Sequence, residues 1–268
     1  MESRPAAAAP TLTLLGSGTS MGVPMVGCEC GVCTSEDPRD NRYRAAALIR
    51  GPGGNAVIDT PPELRLQLVR ERVGQVHAAL FTHAHADHVV GLDDLRICGL
   101  RLKRAVPLYC EAAVEEHLRG AFHYAFAPPN PAAHPGSVPQ YEARRLAEPF
   151  DPIEVCGLSV RPLRLYHGKL PVLGFRVGEV AYCTDVSRIP EETWPHLEGL
   201  ETLILGALRE EPHPTHFNLE QAVAVAERVR PRRTFFTHIS HSLPHAATSA
   251  KLPEGVELAY DGLSVPVA

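Results

Sequence analysis

No apolar run in the sequence approaches the roughly eighteen residues that a membrane-spanning helix needs, which excludes that class. Basic residues are not in excess. Lys and Arg number 26 against 31 Asp and Glu, a net charge of -5, so there is no general electrostatic grip for nucleic acid beyond local basic patches. The opening MESRPAAAAP has no basic stretch leading into a long apolar core. Residues 1–10 therefore read as an unstructured leader rather than a secretory signal, and the expected location is the cytoplasm. The dense, even cysteine framework of a small secreted module is also missing. Seven cysteines are spread over 268 residues, and only three of them lie together. There is no internal repeat.

What is present suits a globular enzyme. A 44% hydrophobic fraction supports a sizeable core, and the length fits one large domain or two modest ones. With 25 Pro and 21 Gly the chain is loop-rich, and loops are where binding residues gather. Fourteen histidines are many, and several stand at ligand-like spacings. Cys98, Cys110, Cys156 and Cys183 lie in apolar surroundings and read as small hydrophobes.

Thr11 to Leu15 reads as a strand running into the turn Gly16-Ser17-Gly18-Thr19. Residues 45–50 and 55–59 read as strands joined by the hairpin signal Gly51-Pro52-Gly53-Gly54. Thr60 is expected to cap a helix with Leu64, Leu68 and Val69 on one face. A short β-rich run, 76–82, stops at a histidine cluster and is followed by a helix-like segment over 90–102. The Pro-rich stretch 128–139 reads as a surface loop or lid-like insertion within a single domain, 11–268. Later strands are expected at 158–166, 174–177, 180–183, 202–205, 234–237 and 257–260. Between the last two pairs Asn218 caps a helix, with Gln221 in capping-box position and Leu219, Val223, Ala226 and Val229 on one face. Two strand-rich halves, each ending in helices, indicate a layered α/β sandwich.

The strongest local signal follows the run Ala78 to Phe81: Thr82-His83-Ala84-His85-Ala86-Asp87-His88. Three imidazoles and a carboxylate directly after a buried strand are ligands suited to Zn, Mn or Fe. This cluster resembles the HxHxDH signature of the metallo-β-lactamase superfamily, and nearly the whole chain follows that family's order of motifs. Asp59, His167, Asp185 and His238 each stand at a strand end where the family places a functional residue. The resemblance implies a four-layered αββα sandwich and two divalent ions. One would be held by His83, His85 and His167, and the other by Asp87, His88 and His238. Asp185 would bridge them, and Asp59 would orient the histidine loop without touching metal. Such a pair lowers the pKa of a water between the ions and clamps phosphate oxygens.

Cys28, Cys30 and Cys33 form a CxCxxC turn that, on its own, suits redox chemistry, packing or metal. A closed tetrahedral zinc needs a fourth ligand, and His241, three residues after His238, can supply it. This turn, together with Gly16-Ser17-Gly18-Thr19-Ser20-Met21-Gly22-Val23-Pro24, Asp37-Pro38-Arg39 and Asn41-Arg42-Tyr43-Arg44, is similar to the PhnP group. The group implies a structural Cys3His zinc, manganese or a similar ion in the working pair, and a homodimer. It also implies hydrolysis of a small cyclic or nucleotide-like phosphodiester, of the phosphoribosyl 1,2-cyclic phosphate kind. In this reading Asp87 helps orient the attacking water, and His216, just before the capped helix, matches the group's general-acid histidine. The remaining alternatives are a ribonuclease Z-like nuclease and a non-hydrolytic relative of pyrroloquinoline-quinone biosynthesis protein B. His77, His117, His123, His134, His196 and His245 read as ordinary surface or interface residues.

Overall fold

Successive residues of a strand point to opposite faces of its sheet, and here both faces are apolar. In Ala46–Gly51, Ala47 and Ile49 join one hydrophobic cluster while Ala46 and Leu48 join another. Such a strand must be covered on both sides, which demands a layered protein. The computed structural model describes residues 9–128, 134 and 136–267, and it shows that arrangement. The leader before residue 9 and residues 129–133 and 135 of the Pro-rich stretch fall outside the described residues.

In chain order the strands are β1 (Thr11–Gly16), β2 (Ala46–Gly51), β3 (Gly54–Ile58), β4 (Ala78–Leu80), β5 (Val106–Cys110), β6 (Tyr141–Arg145) and β7 (Ile153–Val155). They continue with β8 (Leu158–His167), β9 (Leu170–Val177), β10 (Val180–Cys183), β11 (Thr202–Gly206), β12 (Arg233–Thr237), β13 (Val256–Leu258) and β14 (Ser264–Pro266). The helices are α1 (Leu64–Arg70), α2 (Ala86–Val89), α3 (Arg96–Leu102), α4 (Ala112–Ala121), α5 (Leu219–Val229) and α6 (His245–Ser249). One sheet runs β14-β1-β2-β3-β4-β5-β6 and the other β13-β12-β11-β10-β9-β8-β7. In each, an antiparallel half adjoins a parallel half. The parallel pairs are β3/β4, β4/β5 and β5/β6 in the first sheet, and β10/β11, β11/β12 and β12/β13 in the second.

One cluster mixes Leu12, Ile49 and Ile58 of the first sheet with Phe175, Tyr182, Ile204 and Phe235 of the second, so it lies between the sheets. A second packs Leu203, Leu205 and Phe236 against Ala222, Val225 and Ala226 of α5. The third packs Leu48 and Val57 against Leu64, Leu68, Val89 and Leu118 of the first sheet's helices. The order helices, sheet, sheet, helices is the αββα sandwich. Among the described residues no helix is long and apolar enough to cross a membrane.

Four local expectations need correction. Thr60 caps no helix: its N–H and hydroxyl turn to the carbonyls of His88 and Val89, and α1 begins after Glu63. Val69 is 65% exposed, and the buried face of α1 is Leu64, Gln67 and Leu68. The segment 90–102 is not one helix. Val90–Leu95 is a 3-10 turn, because Gly91 is drawn against residues 60–61, its N–H donating to Thr60; a Cβ on Gly91 would lie 2.0 Å from the Pro61 carbonyl oxygen. On α5 the capping box is present, but the deepest positions are Ala222, Val225 and Ala226, and Leu219, Val223 and Val229 flank them.

Candidate metal centre

Parallel strands deliver the loops that follow them to one edge of a sheet, which is where α/β proteins place their ligands. Here β3 delivers Asp59, β4 the loop 82–88, β10 Asp185 and β12 His238, while His167 closes β8. Asp59, Asp185 and His238 have φ values of 66°, 48° and 57°. Non-glycine residues adopt this left-handed region at a cost of about 1–3 kcal/mol, and such costs concentrate at functional sites.

The carboxylate of Asp59 is fully buried and organises the histidine loop. Its Oδ1 accepts from the Thr82 N–H at 2.9 Å, and its Oδ2 accepts from Thr82 Oγ1 at 2.8 Å and His88 Nδ1 at 2.7 Å. Thr82 Oγ1 also meets His83 Nδ1 at 2.9 Å, so one carboxylate fixes two rings, His88 directly and His83 through a hydroxyl. His167 Nδ1 donates to the Thr215 carbonyl at 2.6 Å, leaving Nε2 for the site.

Ligand atoms of His83, His85 and His167 lie within 4.8 Å of one another, as do those of Asp87, His88, Asp185 and His238. A third such group joins His167, Asp185 and His216, so Asp185 belongs with both sides. The ring of His216 is 4.4 Å from that of His167 and 4.7 Å from that of His238.

Buried polar atoms are normally paired. Yet His88 Nε2 and both ring nitrogens of His238 make no hydrogen bond, although His238 Nε2 is 3.1 Å from Asp185 Oδ2. Imidazole nitrogens and carboxylate oxygens converging in one pocket are the donor set of a divalent cation. The electrostatics agree. Burial raises the Asp87 and Asp185 carboxyls, but His238 and His88 outweigh it and hold both below the usual carboxylate range. Burial also disfavours charge on His238, yet Asp185 and Asp87 lift it to about 9. This field draws positive charge to the pocket. His216, by contrast, is pushed down to about 3, first by burial and then by the charge of His238.

The CxCxxC turn forms a separate cluster. The sulfurs of Cys28 and Cys30 each lie 3.3 Å from His241 Nδ1, and the four ligand atoms, including Cys33 Sγ, lie within 4.8 Å of one another. The Cys33 N–H and the His241 ring bring the Cys30 thiol down to about 6, so it is readily a thiolate. Every residue singled out from the sequence thus falls in one of the two clusters or, for Asp59, beside one. His245 departs from its surface reading. It is buried and its Nε2 donates to the Leu258 carbonyl at 2.9 Å. Thr82 and Thr215 were not legible as site residues: one acts through a hydroxyl beside the motif, the other through its backbone carbonyl.

A model of the beta-lactamase superfamily domain matches residues 54–239. A crystallised diphosphatase from the PhnP family is 42% identical, with a TM-score of 0.88 and 96% of each chain covered. The chain belongs to the PhnP family of the metallo-β-lactamase superfamily. The octanoyltransferase of Porphyromonas gingivalis (strain W83) is 40% identical over 256 residues, which are 93% of this chain but 50% of that protein. The chain therefore spans half of that relative's length. Zinc-bound PqqB from Methylobacterium extorquens shares the fold at 19% identity, with a TM-score of 0.77 and 95% and 99% of the two chains covered.

Proposed function

We propose that this PhnP-family chain hydrolyses a small cyclic or nucleotide-like phosphodiester, using two divalent ions at the sheet edge and a structural zinc at the CxCxxC turn. The observation that carries this reading is the convergence of His83, His85, Asp87, His88, His167, Asp185 and His238, seven ligands from both sheets, into overlapping groups of ligand size. His83, His85 and His167 would hold one ion and Asp87, His88 and His238 the other, with Asp185 shared. Manganese, zinc and iron all suit this donor set. When bound, such a pair supplies Lewis acidity and an acidified water at neutral pH.

The protein's own groups do the rest. Asp87, whose Oδ2 lies 3.3 Å from His88 Nε2, would help orient the attacking water. His216, packed between His167 and His238, stands where a departing alkoxide needs a proton, and an anionic substrate beside it counteracts the burial that keeps the ring neutral. Cys28, Cys30, Cys33 and His241, whose ligand atoms lie within 4.8 Å of one another, would supply the four ligands of a closed structural zinc site. The homodimeric and cytoplasmic setting belongs to the same proposal.

The diphosphatase activity of the 42% identical relative favours a second substrate class, a diphosphate diester, cleaved at phosphorus by the same groups. Octanoyl transfer is the activity of a protein of which this chain spans half. A ribonuclease Z-like role lacks a basic arm to hold RNA. A carrier role lacks the missing ligand that would favour it.

The test is turnover of bis(p-nitrophenyl) phosphate, a phosphoribosyl 1,2-cyclic phosphate and ADP-ribose by manganese-loaded protein of measured metal content. Release of nitrophenolate is expected, with one of the two natural-type substrates preferred. No turnover of any of the three with two ions bound at the sheet edge would overturn the reading.

A further inference from the structure

Arginine is almost never fully buried unless its charge is met. Arg42 is 1% exposed and is the largest fully buried side chain among the described residues. Burial lowers its pKa, and Asp40 works against that loss. Its Nη2 donates to Asp40 Oδ1 at 2.7 Å and to the Leu243 carbonyl at 2.7 Å; its Nη1 donates to the Ser240 carbonyl at 2.9 Å, and its Nε to the Arg39 carbonyl at 3.1 Å. Asp40 Oδ1 in turn accepts the N–H of His245 at 2.8 Å. One buried ion pair thus grips the segment 240–245 at three points.

Together with the two residues before it, that segment is the piece of chain that serves both clusters among the described residues. His238 precedes it in a left-handed conformation and faces Asp87 and Asp185. His241 lies inside it and faces Cys28 and Cys30. Between them Ile239 donates to the Ser17 carbonyl at 2.9 Å, and Ser240 donates to the Leu208 carbonyl at 3.0 Å. The two histidines are three residues apart and must point to different metals. Holding that geometry needs the carbonyls on both sides of His241 fixed at once. The planar fork of the guanidinium meets four acceptors, on Arg39, Ser240, Leu243 and Asp40, from three separate nitrogens, one more than the three donors that an ammonium carries on a single atom.

We infer that Arg42 is a positioning residue that sets the 238–243 segment for both metal clusters and so couples them. Metal at the CxCxxC turn holds His241, the clamp transmits that order to His238, and the dinuclear site binds more tightly as a result. This rests on the proposed metal reading.

The test is cobalt(II) titration of metal-stripped protein, in which a sulfur-to-cobalt charge-transfer band and intense tetrahedral ligand-field bands report the thiolate site, and the weaker ligand-field bands of cobalt with N and O ligands, resolved after subtracting them, report the His/Asp site. Arg42→Met is expected to weaken both sites, each by about tenfold or more. Arg42→Lys keeps the charge and can still meet Asp40, so it should fold and still show weakened binding. Leu118→Ala, a core change under α4 far from the segment, serves as the control for general destabilisation. It should lower the melting temperature while leaving both affinities unchanged. Cys28→Ser, which loosens only the thiolate site, should weaken the His/Asp site as well. Wild-type affinity at both sites in Arg42→Lys, or equal losses in Leu118→Ala, would overturn the role of Arg42. Absence of both sets of bands in the wild type would instead overturn the metal reading on which it stands.

Discussion

At the scale of single residues, the site is a set of short polar side chains placed where apolar runs end. Asp59, His83, His85, Asp87, His88, His167, Asp185 and His238 were singled out because their order along the chain resembles the superfamily's motifs, at strand ends that the apolar neighbours make visible. Their partners could not be read. Thr82 serves through a hydroxyl, Thr215 through a carbonyl that accepts from His167, and Arg42 through a clamp on residues two hundred positions away. None of these roles leaves a local pattern. His216 is the residue whose role a substitution can isolate. An acid that protonates the leaving oxygen matters in proportion to that oxygen's basicity. His216→Ala is expected to lower kcat on an alkyl phosphodiester by roughly a hundredfold or more and to change bis(p-nitrophenyl) phosphate turnover by only a few fold. Parallel kinetics on the two substrates, with metal content verified, provide the check. Equal losses on both would assign His216 to metal or substrate binding instead, a role its place beside His167 and Asp185 also permits.

At the scale of elements, legibility followed burial. The strands between the helices, β2, β3, β10, β11 and β12, are almost wholly apolar and were readable. Among the edge strands β13 was expected, at 257–260, while β6, β7 and β14 were not; the interior strand β5 was missed as well, although buried throughout, because Pro107 interrupts a run of only five residues. β6 carries Glu142, Arg144 and Arg145 outward, and β7 and β14 are three residues each; charge and brevity are how edges avoid pairing with other chains, and they erase the strand signature. The start of α1 was misread because Thr60 was needed elsewhere, holding the backbone that follows His88. The α5 start was read correctly because its cap is local. Asn218 Oδ1 accepts from the Gln221 N–H at 3.0 Å, and the Gln221 side chain accepts the Asn218 N–H at 3.1 Å. The Asn218 side chain also donates to the Glu210 carbonyl at 3.0 Å, which ties the segment bearing His216 to the helix. Asn218→Ala therefore removes a cap and a loop anchor together. A loss of about 1–2 kcal/mol in urea unfolding is expected. A change within a few tenths would show that the helix start is held by Phe217 and Leu219 packing alone.

At the scale of the whole molecule, the site lies across the seam of the sandwich. Asp59 and the 82–88 loop belong to the first sheet, and His167, Asp185 and His238 to the second. The shared cluster of Leu12, Ile49, Phe175, Tyr182 and Phe235 joins the sheets through their inner faces, so they should unfold together. At the edge, where that apolar contact gives way to carboxylates and imidazoles, cations are the natural bond between the halves. A ligand that binds only the folded state adds stability by mass action, about 4 kcal/mol when present at a thousand times its dissociation constant. Scanning calorimetry should therefore show one transition in the metal-loaded protein. Stripping the metals should move it down by several degrees, with no second transition appearing, and manganese or zinc should restore it. Chelation at the sheet edge also leaves His88, His238, Asp87 and Asp185 to compensate one another through protons. The stripped protein should accordingly lose more stability than the holoprotein as the pH rises from 6.5 to about 9, the interval in which the folded chain still holds a proton on His238 beside Asp185 and Asp87 and the unfolded chain does not. The sign follows from the raised value: the stabilisation from charge on His238 is full below 6.5 and is lost above about 9. A melting temperature indifferent to verified metal removal would mean that the sheets are fastened by their apolar faces alone and that the ions, if bound, serve chemistry without serving the fold.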